Sequence, residues 1–132
     1  MSILIGKHIQ LALSENKNIS SLVGDSIYPM VAPMGVPKFP FICYQSGISN
    51  VDYTKDGEAG DTLNVAIAII SKTYSEAVDI AESVRYALER SVNEYELYSV
   101  QDCMLLSTNE DYLEQLDAYS ITLNFELQTI NY

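Results

Sequence analysis

Apolar residues recur at helical spacing at the start of the chain and mostly at strand spacing after it. Over residues 2–16, Ile5, Ile9 and Leu13 fall on one face, which predicts a first helix capped by Ser2. The next stretch, residues 19–25, is short and closed by Gly24, and it predicts a turn.

Two strands are predicted around a cluster of prolines, at residues 27–32 and 39–45. Proline has no amide to donate to a ladder, so this part of the chain is expected at an edge, a bulge or an extended crossover. All four prolines of the chain lie here: Pro29, Pro33, Pro37 and Pro40.

The clearest buried strand is residues 62–71, and a helix follows it directly. The strand carries large apolar residues such as Leu63 and Ile67 on one face and small ones such as Ala66 on the other, where a helix could pack closely. Thr73 and Glu76 have the spacing of a capping box, which predicts the helix start.

The last third of the chain predicts a strand at residues 97–106, an acidic connection or helical turn at 107–118, and a half-buried strand at 119–128. The element order is therefore α-β-β-β-α-β-β. We expect an α+β fold in one domain spanning residues 1–132, with a mainly antiparallel sheet of four to five strands and two helices packed on one face.

Residues 47–61 are polar and rich in turn-forming residues, which predicts a long loop that is mobile or contacts another subunit. The candidate residues for this role are Asn50, Asp52, Tyr53, Lys55, Asp56, Glu58 and Asp61.

Charge is unevenly distributed in this chain of net charge −11. Of its 18 acidic residues only Glu15 and Asp25 precede residue 51. No cluster of Lys and Arg is present, which argues against specific nucleic-acid binding. The acids either repel DNA phosphate or simply keep the protein soluble, and a candidate acidic surface comprises Glu110, Asp111, Glu114 and Asp117.

Catalytic and metal-binding patterns are not apparent. His8 is the one histidine, and Cys43 and Cys103 are isolated, so we expect packing residues rather than a thiolate pair, a metal site or a cofactor site. No signal peptide or membrane span is expected, and the chain should be made in the cytoplasm. The ten tyrosines either cover a small core or form interfaces.

The order and spacing of these elements resemble the phage tail-completion proteins, related to the tail terminators of long-tailed phages. The resemblance rests on Leu22-Val-Gly-Asp after the first helix, the proline-punctuated passage to Tyr44, the Asp/Gly-rich excursion, and the helix that begins at Tyr74-Ser-Glu-Ala. An alternating strand then closes the chain.

The resemblance implies a non-enzymatic structural subunit of a phage or prophage tail. Such a subunit would form a ring, commonly a hexamer, that caps the head-proximal end of the tail tube and contacts the tube protein and the head–tail connector. A head–tail joining (neck) protein of similar fold and a non-viral dimeric α+β binding module are the alternatives.

Overall fold

The computed structural model describes residues 5–30, 38–53, 59–89, 92–95 and 98–131. Within them the α+β class is confirmed, and the order α-α-β-β-β-α-β-β-β adds a helix and a short strand to the predicted one. The elements are α1 (Ile5–Glu15), α2 (Lys17–Val23), β1 (Ile27–Pro29), β2 (Phe41–Tyr53), β3 (Ala59–Ser71), α3 (Tyr74–Leu88), β4 (Asn93–Glu94), β5 (Tyr98–Leu113) and β6 (Ala118–Asn131).

Helix α2 replaces the turn predicted at residues 19–25, and that prediction was wrong. The side-chain oxygen of Asn16 accepts a hydrogen bond from the amide of Ile19 at 3.1 Å, which starts the second helix. Ile19 and Val23 are buried, so the short helix is held by packing. Gly24, with φ at 61°, ends it.

The described strands form one sheet in the order β1-β2-β3-β6-β5-β4. β1 pairs parallel to β2, and every other pair is antiparallel. Pro29 ends β1 at the outer edge, as predicted for a residue without an amide donor. Pro40 directly precedes β2, and Pro33 and Pro37 lie outside the described residues.

Two long hairpins correct the predicted connections. β2 and β3 pair from Phe41 and Ile70 to Tyr53 and Ala59, so residues 47–53 and 59–61 are strand rather than loop. β5 likewise continues to Leu113 and turns into β6 through residues 114–117. These strand ends are held by backbone pairing. The alternation of apolar residues reports burial, and it therefore missed them.

All three helices pack on one face of the sheet, which confirms the predicted layering and extends it to α2. That face carries Leu63 and Ile67 of β3 and Phe125 of β6. The prediction that a helix packs on the small-residue side of β3 was wrong, because Ala66 and Ala68 lie on the opposite face. We call that helix-free side the open face.

The start of α3 differs from the predicted capping box. The Thr73 side chain makes no capping hydrogen bond. Instead the buried Ser71 hydroxyl donates to Glu76 Oε1 at 2.7 Å and accepts the amide of Thr73 at 3.3 Å. Ser71, the last residue of β3, is thus linked by hydrogen bonds to the first turn of α3.

Candidate assembly surfaces

Three tyrosines form an exposed cluster beside the β5–β6 turn. Tyr112 and Tyr119 are partners across the hairpin, and Tyr74 is the first residue of α3. The Tyr119 ring meets those of Tyr74 and Tyr112 edge-on, at centroid distances of 5.8 and 5.2 Å. All three are between 36% and 45% exposed. We call this set the tyrosine cluster, and its composition is typical of protein interfaces.

The predicted acidic residues surround that cluster. Glu110 and Asp111 lie on β5, and Glu114 and Asp117 lie in the turn that follows. All four are exposed, and we call them the acidic tip.

Hydrogen bonds join the tyrosine cluster to the acidic tip. The Tyr74 hydroxyl lies 2.8 and 2.9 Å from the two carboxylate oxygens of Glu110, and this hydrogen bond raises the pKa of Tyr74 above its ordinary value. The Tyr112 hydroxyl donates to the carboxylate of Asp117. The result is one continuous surface of aromatic rings and negative charge.

Lys72, which directly follows β3, contacts the turn of the acidic tip. Its ammonium donates to the carbonyl of Leu116 and, at 3.3 Å, to that of Asp117. The same ammonium lies 4.6 Å from the centre of the Phe39 ring. The position of the acidic tip relative to the sheet is therefore fixed by a cation.

The residues predicted to form a loop are distributed differently. Asn50, Asp52 and Tyr53 lie on β2, and Asp61 lies on β3. Asp61 is buried within this chain, and its role as a subunit contact stays a prediction. Lys55, Asp56 and Glu58 lie outside the described residues. A contact role for the hairpin of β2 and β3 stays a prediction.

The open face is a surface that the sequence analysis did not identify as functional. It contains a shallow hollow of about 410 Å³ that includes Gln45, Asn64, Ala66 and Asn124 in its lining. Leu106 borders the hollow, is 56% exposed, and lies where the register between β5 and β6 shifts. In the sequence, only the small and polar residues that alternate with apolar ones along β3 indicated this face.

Comparison with known proteins identifies the family. Residues 7–129 match the family model of tail completion protein gp17. The chain belongs to that family. The predicted resemblance to phage tail-completion proteins is thereby confirmed, and the chain is a structural component of a phage-type tail.

A solved structure shows the same fold. The chain is similar to a chain in the virion of a native gene transfer agent particle, with 20% identity and a TM-score of 0.77. The similarity covers 93% of this chain and 92% of the other. No curated protein sequence matches the chain.

The residues of this tail-completion family member that could carry out chemistry, His8 and the two cysteines, are packed against other side chains. His8 is only 3% exposed, its Nδ1 lies 2.7 Å from the Tyr95 hydroxyl, and burial lowers its pKa. Cys43 belongs to a small apolar cluster on the open face, whereas Cys103 is buried in the main core beneath the helices. Cys43 and His8 therefore lie on opposite sides of the sheet.

Within the described residues, no group of three or more His, Cys, Asp or Glu side chains is arranged to hold a metal ion. None of the helices described is both long enough and apolar enough to cross a membrane.

Proposed function

We propose that this chain is a ring-forming subunit that caps the head-proximal end of the tail tube and joins the tail to the head. The observation that carries the proposal is the family match over residues 7–129. In this role the chain has no catalytic activity. Its partners are copies of itself, in a ring that we expect to be a hexamer, the tail tube protein and the head–tail connector protein.

The tyrosine cluster supports a docking role. Tyr74, Tyr112 and Tyr119 offer flat amphipathic rings that are already held by contacts with each other, so little side-chain freedom is lost on binding. We propose that this cluster contacts either the tail tube or the connector.

The acidic tip supports a second part of the proposal. Its four carboxylates lie at the end of a hairpin with Lys72 as the cation bound to its turn. Placed at the channel of a ring, such a surface repels DNA phosphate and lets the genome pass without binding it.

A deletion experiment tests the tail role. Removing the gene from the phage or prophage that carries it should leave filled heads and separate, headless tails in electron micrographs, and a plasmid copy should restore joined particles. Particles of normal length and full infectivity after deletion would contradict the proposal.

A complementation experiment tests the acidic tip. The combined variant Glu110→Gln, Asp111→Asn, Glu114→Gln and Asp117→Asn should restore joined particles but reduce DNA delivery. The matched control neutralises four acids outside the acidic tip, with Glu15→Gln, Asp25→Asn, Asp79→Asn and Glu126→Gln, and so makes the same change in net charge. Equal DNA delivery by the two variants would show that the acidic tip only confers solubility.

A further inference from the structure

The outer edge of β5 is open over most of its length. β4 pairs only with Ser99 and Val100, and within the described residues no strand pairs with the outer side of Met104 to Leu113. The amide of Tyr112 donates to the side chain of its own neighbour Asp111 at 2.8 Å, as an amide on an unpaired edge can. Such an edge is a template for another strand.

The outer edge of β2 is open at the opposite end of the sheet. β1 covers it only from Ile42 to Tyr44, and the described residues place no strand beside Ser46 to Tyr53. The Ile42 amide donates to the Ser26 carbonyl at 2.9 Å, and the Tyr44 carbonyl accepts the Met30 amide at 2.7 Å. Because outward backbone groups alternate along a strand, those of Ser46 point to the open edge.

Both open edges are free of charge over their central parts. Neither residues 46–51 nor residues 104–109 include an Asp, Glu, Lys or Arg, and the acids of the two open edges, Asp52, Glu110 and Asp111, lie towards their ends. In a chain of net charge −11, two copies repel each other over most of their surfaces. These two edges are places where copies can meet without opposing like charges.

The direction of the strands suits a contact between copies in the same orientation. β2, β3, β6 and β5 are joined by three successive antiparallel pairings, so β2 and β5 run in opposite directions. A second copy placed beside the first therefore brings β2 of one antiparallel to β5 of the other.

The open parts also define an offset. β1 covers the beginning of β2, and β4 covers the beginning of β5, so the two open segments lie at opposite ends of the sheet. Neighbouring copies must then be displaced along the strand direction. A stagger of this kind is what a sheet with tilted strands needs in order to close on itself.

An apolar groove accompanies the open edge of β5. It lies between α3 and the hairpin and has a volume of about 150 Å³. Its apolar lining comes from Val78 and Ala81 of α3 and from Leu105, Ile121 and Leu123 of the sheet, and its polar rim from Glu82, Arg85, Thr108 and Glu110. An incoming strand could therefore add apolar contacts on the helix side to its backbone hydrogen bonds.

We propose that copies of this chain join through these strand edges, with the Ser46–Tyr53 edge of one copy paired antiparallel to the Met104–Leu113 edge of the next. The contact is head-to-tail, so it repeats around a closed ring and makes one continuous sheet. The inference rests on the proposed ring-forming function and names the surface that builds the ring.

Disulfide trapping tests the pairing directly. In a background of Cys43→Ala and Cys103→Ala, Ser46→Cys is combined in turn with Thr108→Cys, Glu110→Cys or Tyr112→Cys, which share the helix-side face of the sheet with Ser46 and lie opposite it in the proposed pairing. Paired strands bring Cα atoms within disulfide reach, so mild oxidation of the concentrated protein should give a ladder of covalent dimers, trimers and larger species. Each single-cysteine variant should stop at the dimer.

A different result of the cross-linking experiment would contradict the proposed pairing. If every double-cysteine variant folds like the parent by circular dichroism and none gives species beyond the dimer, the edge pairing is wrong. This result leaves the deletion phenotype untouched, so the tail role and the pairing can fail separately.

A mixing experiment tests the head-to-tail direction. Ser46→Glu places a charge on one edge and Thr108→Glu places it on the other, and both side chains are exposed. Each variant alone should be monomeric by native mass spectrometry, whereas their equimolar mixture should form a dimer and nothing larger. Ser21→Glu, an exposed serine on α2, is the matched control and should assemble like the parent. Parent-like assembly by both edge variants would overturn the proposal.

Discussion

The imidazole of His8 on α1 lies 2.7 Å, through Nδ1, from the hydroxyl of Tyr95, a residue 87 positions further along the chain. The two rings also meet nearly at right angles, at 5.7 Å between centroids. Tyr95 in turn stacks on Tyr98 at the start of β5. His8 therefore connects the first helix to the segment that leads into the β5 edge.

Acid should destabilise the protein through His8. Burial lowers its folded-state pKa below the ordinary 6.5, so the unfolded chain takes up the proton first as the pH falls. The contribution of His8 to the free energy of unfolding is complete above pH 6.5 and declines as the pH falls from there towards the lower folded-state value. Urea unfolding at a series of pH values between 7.5 and 5 measures this decline.

His8→Gln provides the control for this prediction, because it removes the titrating group while the carboxylates remain. The variant should be less stable than the parent at pH 7.5, and the difference should shrink towards pH 5. A difference that stays constant across this range would exclude His8 as the source of the pH dependence.

Ser71, rather than Thr73, should be the residue that stabilises the start of α3. Ser71→Ala leaves the Thr73 amide and the Glu76 carboxylate without their buried partner, and we expect a loss of about 1–2 kcal/mol in the free energy of unfolding. Thr73→Ala removes a side chain with no capping bond and should change stability by less than about 0.5 kcal/mol. Chemical denaturation of both variants decides, and a larger loss for Thr73→Ala would restore the capping box.

The predictable part of this fold is the part where burial alternates with exposure. Ile121, Leu123, Phe125 and Leu127 alternate with polar residues, and all four are buried on β6 as that pattern predicts. The helical spacing of Ile5, Ile9 and Leu13 predicted α1 in the same way, and all three are buried.

The parts that were missed are stabilised by contacts that hydropathy does not report. Residues such as Glu110 and Asp111 are exposed, yet they lie in β5 because their backbones pair with Ile121 and Ser120 of β6. β4 has only two residues, and α2 begins at a side-chain cap from Asn16 and is held by only two buried residues, Ile19 and Val23.

The candidate site was predictable in its charges but not in its geometry. The acidic tip was visible as a run of carboxylates without a base. The tyrosine cluster depends on the pairing of Tyr112 with Tyr119 and on the position where α3 begins beside them. Both are long-range relationships that no local pattern contains.

Lys72 should stabilise the acidic tip through its contacts with the turn. Lys72→Met keeps most of the apolar stem but removes the donor to the carbonyls of Leu116 and Asp117, and we expect a loss of about 1 kcal/mol. Lys17→Met, at an exposed position on α2, makes the same change in net charge and should have little effect. Thermal unfolding of the two variants compares them. Equal losses would mean that net charge, and not the turn contact, is responsible.

The backbone of Asp117 should limit which residues the turn accepts. Its φ of 50° lies in the left-handed region, where aspartate and asparagine are tolerated and β-branched side chains clash with their own backbone. Asp117→Asn keeps both this tolerance and an oxygen for the Tyr112 hydroxyl, so its free energy of unfolding should stay within about 0.5 kcal/mol of the parent. Asp117→Val should lose about 1–2 kcal/mol from backbone strain, in addition to the lost hydrogen bond.

Tyr112→Phe measures that hydrogen bond alone, so the strain is the loss in Asp117→Val beyond the loss in Tyr112→Phe. If denaturant unfolding finds these two losses equal, the left-handed conformation at Asp117 does not constrain the turn, and the hydrogen bond accounts for the whole effect.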